Sequence, residues 1–221
     1  MKAVIFDMDG VIVDTMGMHF EADAAVLGNA LGGKEIDKSL LYLTDEEAYS
    51  KILPSGGKGK IRGLIAEKYG YMRGKTSGIR PIGGFEEFLQ RLKGKCRLAI
   101  VSNSPRAFIE HIVGEIGKKG SFDVIVGSED IVNGKPDPEG YLLAAKKLGV
   151  GPCDCLVIED SPYGIMAAKS AGMKVAAVTN SFEGHFLLDA DLVVDSLAEL
   201  TIEKCEALFR GGKTARSGAA N

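Results

Sequence analysis

The chain has 221 residues, of which 45% are hydrophobic and 26% are charged, and its formal net charge is −3. This composition is typical of a globular protein that can bury a sizeable core, and it argues against a nucleic-acid partner, since no dense Lys/Arg face accompanies the weakly acidic balance. No apolar stretch approaches the ~20 residues of a membrane-spanning helix and the N-terminus lacks a signal-peptide pattern, so we expect a cytoplasmic protein with no membrane partner.

The first predicted element is a short buried strand that ends in two carboxylates. Val4-Ile5-Phe6 is an apolar run of β-branched and aromatic residues, and Asp7 and Asp9 follow it, with Gly10 directly after them. Because side chains alternate along a strand, Asp7 and Asp9 can project in the same direction from its carboxyl end, where open α/β sheets place their ligands. Two anions this close repel each other, so the pair favours a cation site or phosphate chemistry over a solvated acidic turn.

A helical stretch follows the first strand. Apolar spacing predicts helices over about residues 16–31, 45–53 and 59–69, and Pro54 with the Gly56-Gly57 pair separates the last two. No convincing strand pattern occurs between Thr15 and Ile79. We therefore expect an all-helical domain of residues 15–80, inserted after the first strand of a core domain formed by residues 1–14 and 81–209.

Strands and helices alternate from residue 81 onwards. Strands are predicted at 97–101, 123–126, 155–158, 174–178 and 192–194, and helices at 85–92, 105–116, 138–148, 162–171 and 197–209. Ser104, Asp137 and Ser161 each precede a proline, which suits an N-cap followed by proline in the first helical turn. The alternation predicts an α/β fold, a Rossmann-like parallel sheet with helices on both faces. The glycine-rich residues 210–221 are expected to be disordered.

Polar side chains gather where further predicted strands end. Ser102-Asn103 and Glu159-Asp160 each follow a strand, and Lys135 lies in a tight turn before a helix. Taken singly, each is explained by helix capping or by a solvent-exposed turn. In a doubly wound sheet, however, these strand ends open on one crevice. The combination favours a site in which carboxylates hold Mg²⁺ while the hydroxyl group and the lysine hold phosphate oxygens.

In these segments the sequence resembles the haloacid dehalogenase superfamily, in its phosphatase and β-phosphoglucomutase-like branch. Residues 7–15 are similar to the first motif of that family, Ser102 to the second, Lys135 in Lys-Pro-Asp-Pro to the third, and residues 159–172 to the fourth. The motifs occur in the family's order over nearly the whole chain. The resemblance implies that residues 15–80 are a helical cap that closes over the core domain.

The resemblance also implies a role for each candidate residue. Asp7 would be the nucleophile that forms an aspartyl-phosphate, and Asp9 would be the general acid and then the base that activates water. Ser102, Asn103 and Lys135 would bind the transferred phosphoryl group. The substrate would be a small phosphorylated metabolite.

The implied cofactor is Mg²⁺. Its ligands would be the Asp7 carboxylate, the backbone carbonyl of Asp9 and the Asp160 carboxylate, with Glu159 as a ligand or a water-mediated support. A metal ion in this place would let two anions, Asp7 and the phosphate, approach each other.

Three other interpretations of the carboxylate cluster are disfavoured. The Mg²⁺-independent dehalogenases of the superfamily lack the second aspartate, whereas Asp9 and Asp160 are present here. A response-regulator receiver carries its phospho-acceptor after the third strand, where this chain has Val126-Gly127-Ser128 and no aspartate before Asp130. A catalytically silent binding protein is disfavoured because every catalytic position is filled.

We favour a phosphatase, with a β-phosphoglucomutase-type sugar phosphomutase as the alternative. A mutase needs a cap cation for the second phosphate of its substrate, but Asp45 stands where the family's mutases carry an arginine. Arg62 and Lys75 are the first cations that could replace it. His19 falls where mutases keep a cap histidine, although a histidine packed at the hinge explains it as well. We expect a monomer or a weak dimer.

Overall fold

A single parallel sheet forms the centre of the protein. The structure is a computed structural model that describes residues 1–31, 40 and 43–210. The strands are β1 (Ala3–Phe6), β2 (Arg97–Val101), β3 (Val124–Val126), β4 (Cys155–Glu159), β5 (Lys174–Val178) and β6 (Leu192–Val194). They pair in parallel in the order β3-β2-β1-β4-β5-β6. This order confirms the predicted Rossmann-like fold class, and its direction reverses between β1 and β4, where such folds bind ligands.

Helices cover both faces of the sheet. The described α-helices are α1 (Met16–Leu31), α2 (Asp45–Ile52), α3 (Lys58–Arg73), α4 (Phe85–Leu92), α5 (Arg106–Glu115), α6 (Glu139–Leu148), α7 (Pro162–Ser170) and α8 (Ile202–Ala207). On β1, Val4 and Phe6 join the apolar core that includes α4, α5 and α8, whereas Ala3 and Ile5 join the core that includes α6 and α7. Burial of a side chain such as Phe6 contributes about 2 kcal/mol. Strand β1 is therefore firmly anchored, and with it the loop that carries the two aspartates.

Helices α1, α2 and α3 form a helical segment (the described residues between 16 and 73) beside the carboxyl edge of the sheet. Its own small apolar core consists of Leu27, Ala48, Tyr49 and Ile61. Helix α2 begins with a capping box, in which the Thr44 hydroxyl accepts from the Glu47 N–H at 3.3 Å and the Glu47 carboxylate accepts from the Thr44 N–H at 3.1 Å. The chain enters and leaves the helical segment through two strands of backbone that lie side by side. Val13, before the segment, forms an antiparallel bridge with Pro81, after it.

The helical segment contacts the loop that carries Lys135. A Cβ atom built on Gly134 would lie 2.4 Å from the Thr44 methyl group, so only glycine fits at this contact. The Tyr69 hydroxyl lies 3.4 Å from the Ser104 hydroxyl across the same junction. The segment thus lies against the strand ends on which the candidate residues were predicted.

The prediction of one helix over residues 197–209 is wrong. A 3₁₀ turn (Leu197–Glu199) and α8 take its place. The Ser196 hydroxyl accepts from the Ala198 N–H at 3.2 Å, and the Thr201 hydroxyl accepts from the Lys204 N–H at 3.2 Å. Each hydroxyl group starts a new helical turn, so two local caps outweigh the continuous apolar spacing.

The predicted caps differ in outcome. Ser161 caps α7 as predicted, since its hydroxyl accepts from the Gly164 N–H at 3.1 Å. The prediction for Ser104 is wrong, because α5 begins after Pro105 with no side-chain cap and the Ser104 hydroxyl donates to Asp9 instead. The Asp137 carboxylate accepts from the Glu139 N–H at 2.9 Å, although Pro138 occupies the cap position.

Two further expectations concern the C-terminal residues and membrane-spanning helices. Apart from Arg210, the residues predicted to be disordered (210–221) lie outside the described part of the chain. Within the described ranges, no helix has the length and apolar character needed to cross a membrane.

Candidate active site

The loops after β1, β2 and β4 meet at the carboxyl edge of the sheet. They line a cavity of about 50 Å³ together with the loop that carries Lys135. The residues around it are Asp7, Asp9, Met16, Ser102, Asn103, Lys135, Asp160 and Ser161. The structure therefore brings together all the core residues singled out in the sequence except Glu159, which lies behind this cavity against Lys135.

Lys135 joins two of the strand ends. Its Nζ atom lies 2.5 Å from Oδ1 of Asp7 and 2.5 Å from Oε1 of Glu159. Burial by itself lowers the pKa of Lys135, but the charges of these two carboxylates outweigh it and raise the pKa well above its ordinary value. The lysine is thus held as a cation beside Asp7, where a phosphoryl group would have to approach.

Glu159 is fully buried, and its carboxylate is already surrounded by donors. Oε1 accepts from Lys135 and from the Tyr141 hydroxyl at 2.8 Å, and Oε2 accepts from the N–H groups of Asp160 and Ser161 at 2.9 and 3.1 Å. Burial raises the pKa of Glu159, but Lys135 and the other donors outweigh it and lower the pKa. These contacts suit a residue that positions Lys135 better than one that offers free lone pairs to a metal.

Tyr141 was missed in the sequence. Its ring is completely buried in α6, and the Lys135 ammonium lies 5.3 Å from the ring centroid. Its only sequence signal was its place in the first turns of the helix that follows the lysine loop. An aromatic residue there is usually explained by core packing alone, so the hydroxyl contact with Glu159 could not be foreseen.

Asp160 is positioned by a loop that the sequence analysis did not consider. The Ser181 hydroxyl donates to Oδ2 of Asp160, and the Asn180 side chain donates to the Gly10 carbonyl at 2.7 Å. Gly10 has φ +83°, and a Cβ atom there would lie 1.8 Å from Oδ2 of Asp160. Both missed residues follow β5 at the same sheet edge, so the strand-end rule that found Ser102 could have found them.

The carboxylates of Asp7, Glu159 and Asp160 form a close, buried cluster. One oxygen of each lies within 4.8 Å of the others. Burial raises the pKa of Asp7, and the charges of Glu159 and Asp9 add to this while Lys135 opposes it. Burial, Glu159 and Asp7 likewise raise the pKa of Asp160 well above its ordinary value. Since one lysine faces three buried carboxylates, the surplus negative charge fits a divalent cation bound to carboxylate oxygens.

Asp9 accepts hydrogen bonds at both of its oxygens. Oδ1 contacts the Thr15 hydroxyl and lies 3.2 Å from Nε2 of His19, whereas Oδ2 accepts from Ser102 at 3.0 Å and from Ser104 at 3.3 Å. Burial raises the pKa of Asp9. The charge of His19 and the hydrogen bonds from His19, Thr15 and Ser102 outweigh it and lower the pKa to about 2. Asp9 is thus ionised in this arrangement and is placed to accept a proton.

Asn103 and His19 line one cavity together with Asp9. The Asn103 side-chain oxygen accepts from the Lys135 N–H at 3.2 Å, so this residue links the loop after β2 to the lysine loop. His19, on α1, is buried, and its ring meets the rings of Tyr69 and Phe108 edge-on. The helical segment thus places an imidazole against the second aspartate.

A second cavity, of about 40 Å³, lies on the side of Asp9 that faces the helical segment. Its lining residues are Asp9, Met16, His19, Leu43, Asp45, Tyr69, Asn103 and Ser104. Asp9 lines both cavities, so its carboxylate stands between the space beside Asp7 and the space under the helical segment. This is the position that an acid or base needs at a bond being broken between the two spaces.

A buried ionic network lies behind Asp45. Lys68, on α3, contacts Asp45 at 2.6 Å and Asp23 at 2.9 Å. Lys68 and Asp23 were not predicted from the sequence as a buried pair, because charged residues on helices are ordinarily solvated. Neither Arg62 nor Lys75 lines the two cavities: Arg62 borders an outer groove with Glu46, and Lys75 pairs with the exposed Glu21 at 2.6 Å.

The chain is similar to known hydrolases and mutases. The family model described as haloacid dehalogenase-like hydrolase matches residues 1–172. Over 211 residues the chain is 35% identical to a bifunctional riboflavin kinase/FMN phosphatase of Arabidopsis thaliana, covering 92% of this chain but only 55% of that protein. Over 216 residues it is 36% identical to a β-phosphoglucomutase of Bacillus subtilis, covering 92% and 93% of the two chains.

A solved structure resembles most of the chain. The crystal structure of β-phosphoglucomutase from Clostridium difficile has a TM-score of 0.85 and 30% sequence identity, and the match covers 95% of this chain and 97% of that one. Phosphatases and a mutase are thus both among the proteins that this chain resembles.

Proposed function

This chain belongs to the haloacid dehalogenase-like hydrolase family, and on that premise we propose that it is a Mg²⁺-dependent phosphatase that releases phosphate from a small phosphorylated metabolite. The observation that carries the proposal is the place of Asp9 between two cavities, one beside Asp7 and Lys135 and the other under the helical segment. The first cavity suits a phosphoryl group and the second suits the alcohol that leaves it, which we call the leaving group. In this proposal the helical segment is the cap.

In the first half of the reaction, a carboxylate oxygen of Asp7 attacks phosphorus in line with the ester oxygen. The new bond gives an aspartyl-phosphate, and the bond between phosphorus and the ester oxygen breaks. Lys135, at 2.5 Å from Asp7, opposes the burial that raises the pKa of this carboxyl group and balances charge on the phosphoryl oxygens. Ser102 and Asn103 line the same cavity and bind the phosphoryl group.

Asp9 transfers a proton in both halves of the reaction. A protonated Asp9 gives its proton to the departing ester oxygen, and the resulting carboxylate then takes a proton from the water that attacks phosphorus and releases Asp7. Nε2 of His19 lies 3.2 Å from Oδ1 of Asp9, so the imidazole is placed to exchange a proton with this carboxylate. The hydroxyl groups of Thr15 and Ser102 hold the carboxylate in place.

The donor set suits Mg²⁺. Asp7 and Asp160 would hold the ion with the backbone carbonyl of Asp9, while Glu159 would support the site through Lys135. When bound, Mg²⁺ supplies positive charge between the Asp7 carboxylate and the phosphate. The raised pKa values of Asp7 and Asp160 are consistent with this assignment, because they reflect burial first and then the charges of neighbouring carboxylates that Lys135 alone does not balance.

A phosphomutase is the second candidate, and the similarity to β-phosphoglucomutases favours it. A mutase has to hold a second phosphate under the cap, which calls for a cation there. Among the described residues that line the cavity under the helical segment there is no lysine or arginine. Asp45, which is present there, would repel such a phosphate.

The deciding experiment measures phosphate release and isomerisation side by side. A panel of phosphorylated metabolites, with Mg²⁺ and no bisphosphate activator, should give steady release of inorganic phosphate. β-Glucose 1-phosphate should give no measurable glucose 6-phosphate, with or without a bisphosphate. Efficient, bisphosphate-primed interconversion would establish the mutase instead. The Asp7→Asn variant serves as the control for contaminating phosphatases.

A further inference from the structure

Asp45 is a carboxylate built into the wall of the cavity under the helical segment. It is the first residue of α2, directly after the Thr44 capping box, and its side chain is only 13% exposed. The same small cavity is bounded on its other side by Asp9. A leaving group that enters this space therefore lies between two carboxylates.

Contacts on both oxygens hold Asp45 in place. Oδ1 accepts from Nζ of Lys68 at 2.6 Å, and Oδ2 accepts from the Tyr69 hydroxyl at 2.7 Å. A carboxylate oxygen has two lone pairs, so each oxygen of Asp45 can still accept a further hydrogen bond. The side chain is thus fixed in position and can still accept a hydrogen bond from a hydroxyl group of a ligand.

The positive charge of Lys68 is not available to a ligand. Its side chain is only 2% exposed, and Nζ also contacts the carboxylate of Asp23, to which the Tyr49 hydroxyl donates at 2.6 Å. Two carboxylates share this one ammonium group, so the network keeps one net negative charge. Transferring an ion from water into the protein interior is unfavourable unless an oppositely charged partner is present. The Lys68 ammonium group is therefore stable only between its two aspartates.

The other described residues that line the cavity do not neutralise the negative charge of Asp45. His19 faces Oδ1 of Asp9 at 3.2 Å, so a positive charge on its ring is matched by Asp9. Tyr69 and Ser104 are neutral donors or acceptors, and Met16 and Leu43 supply apolar contacts. A second anionic group in the leaving group would therefore meet the Asp45 carboxylate without a neutralising partner among the described lining residues.

We propose that Asp45, held by Lys68, makes this enzyme reject phosphate esters whose leaving group carries a second anion, so that its substrates are monophosphates of small, neutral, hydroxyl-bearing compounds. The proposal rests on the phosphatase function above. A hydroxyl group of such a compound donates to Asp45, whereas a carboxylate or second phosphate is repelled by it. Asp45 is then a specificity-determining residue.

Two esters provide a matched test. Glycerol 3-phosphate and 3-phosphoglycerate share a three-carbon chain and the place of the phosphate, but the second ends in a carboxylate in place of a hydroxymethyl group. The wild-type protein with Mg²⁺ should show a kcat/KM for glycerol 3-phosphate that is higher by about tenfold or more, as expected for like charges in a partly dry cleft. Equal turnover of the two esters, or a preference for 3-phosphoglycerate, overturns the proposal.

The Asp45→Asn variant removes the charge and keeps the shape of the side chain. The ratio of the two kcat/KM values should fall several-fold in this variant, mainly because 3-phosphoglycerate improves. Glu46→Gln is the control, since Glu46 is the exposed neighbour that borders only the outer groove, and its ratio should stay at the wild-type value. A ratio that Asp45→Asn leaves unchanged also overturns the proposal. If Asp45→Asn does not fold, Asp45→Ser takes its place.

Acetyl phosphate separates failure of this proposal from failure of the phosphatase function. Hydrolysis of acetyl phosphate without hydrolysis of either three-carbon ester overturns the specificity proposal and leaves the phosphatase in place. If acetyl phosphate and both esters stay intact with Mg²⁺, the phosphatase function itself fails, and the specificity proposal fails with it.

Discussion

The carboxylate of Glu159 occupies the space in which a side chain on residue 164 would lie: a Cβ atom on Gly164 would come within 1.7 Å of Oε1 of Glu159. The same oxygen accepts the hydrogen bond from Lys135. The absence of one side chain in α7 therefore leaves room for the carboxylate that positions the active-site lysine.

Gly164→Ala should thus impair both activity and stability. The added methyl group has to displace Glu159, and a displaced Glu159 leaves Lys135 with Asp7 alone. We expect a fall in the free energy of unfolding of about 2 kcal/mol or more and a large loss of kcat, measured by denaturant unfolding and by phosphate release.

Gly70→Ala is the matched control. Gly70 also lies inside a helix, and nothing lies within 4 Å of a Cβ atom built on it. This variant should keep its activity and gain up to about 1 kcal/mol in stability. A Gly164→Ala protein as active and as stable as the wild type would show that Glu159 does not depend on this space.

Asp7→Asn should abolish turnover without unfolding the protein. An amide is a poor nucleophile, so kcat should fall by about 10⁴-fold or more. Because burial raises the pKa of Asp7, the neutral amide should also make the metal-free protein as stable as the wild type or more stable. Phosphate release and thermal unfolding with a chelator present measure the two effects. Near wild-type activity in this variant would remove Asp7 from the role of nucleophile.

Metal affinity should depend on Ser181 as well as on Asp160. Chelation should stop phosphate release and added Mg²⁺ should restore it, and Asp160→Ala should weaken apparent Mg²⁺ affinity. Ser181→Ala removes the hydroxyl that donates to Asp160, and we expect about a tenfold loss of Mg²⁺ affinity. Calorimetric titration of the metal-free protein with Mg²⁺ measures this independently of activity.

The exposed Ser170, at the end of α7, provides the control for this series. Ser170→Ala should bind Mg²⁺ as the wild type does. Phosphate release that chelators do not affect would contradict the metal assignment, and unchanged Mg²⁺ binding in Ser181→Ala would contradict the part given to Ser181.

Asp191 should make stability depend on pH in the acid range. Its carboxylate accepts from Lys169, Lys174 and the Val175 N–H at 2.8 to 2.9 Å. Burial raises the pKa of Asp191, but these donors outweigh it and lower the pKa below that of the unfolded chain. The stabilisation is therefore complete above the unfolded pKa of about 4 and is lost as the pH falls through the lower folded value.

Asp191→Asn should accordingly lower the free energy of unfolding at pH 7 by about 1 kcal/mol. The difference from the wild type should shrink below about pH 4, where the wild-type carboxylate takes up its proton. Denaturant unfolding at several pH values measures this. Asp189→Asn, at an exposed position in the same loop, should match the wild type throughout. A difference for Asp191→Asn that stays constant down to pH 2 would contradict the assignment.

Local patterns in the sequence were sufficient to predict the strands of the sheet and the polar residues at its edge. The apolar runs of β1 and β4 and the polar residues that end them, such as Asp7 and Asp160, follow from strand periodicity and from the rule that parallel strands end at one edge. The same rule placed Ser102 in one crevice with Asp9, and in the structure the Ser102 hydroxyl donates to Asp9 at 3.0 Å. Periodicity and capping act over a few residues, so one sequence can reveal them.

The further partners of these residues depended on the tertiary structure. Lys135 was expected in one crevice with Asp7, but its contact with Glu159 was not foreseen, and neither was the contact between Lys68 and Asp23. No local pattern states which charged groups will be buried together. The split of the last predicted helix into two capped turns was also decided in the fold. Such contacts exist only where packing removes water from both groups, because a buried charge is stable only with its partner in place. The sequence therefore determined which groups stand at the sheet edge, and the packing of distant segments decided which of them are paired.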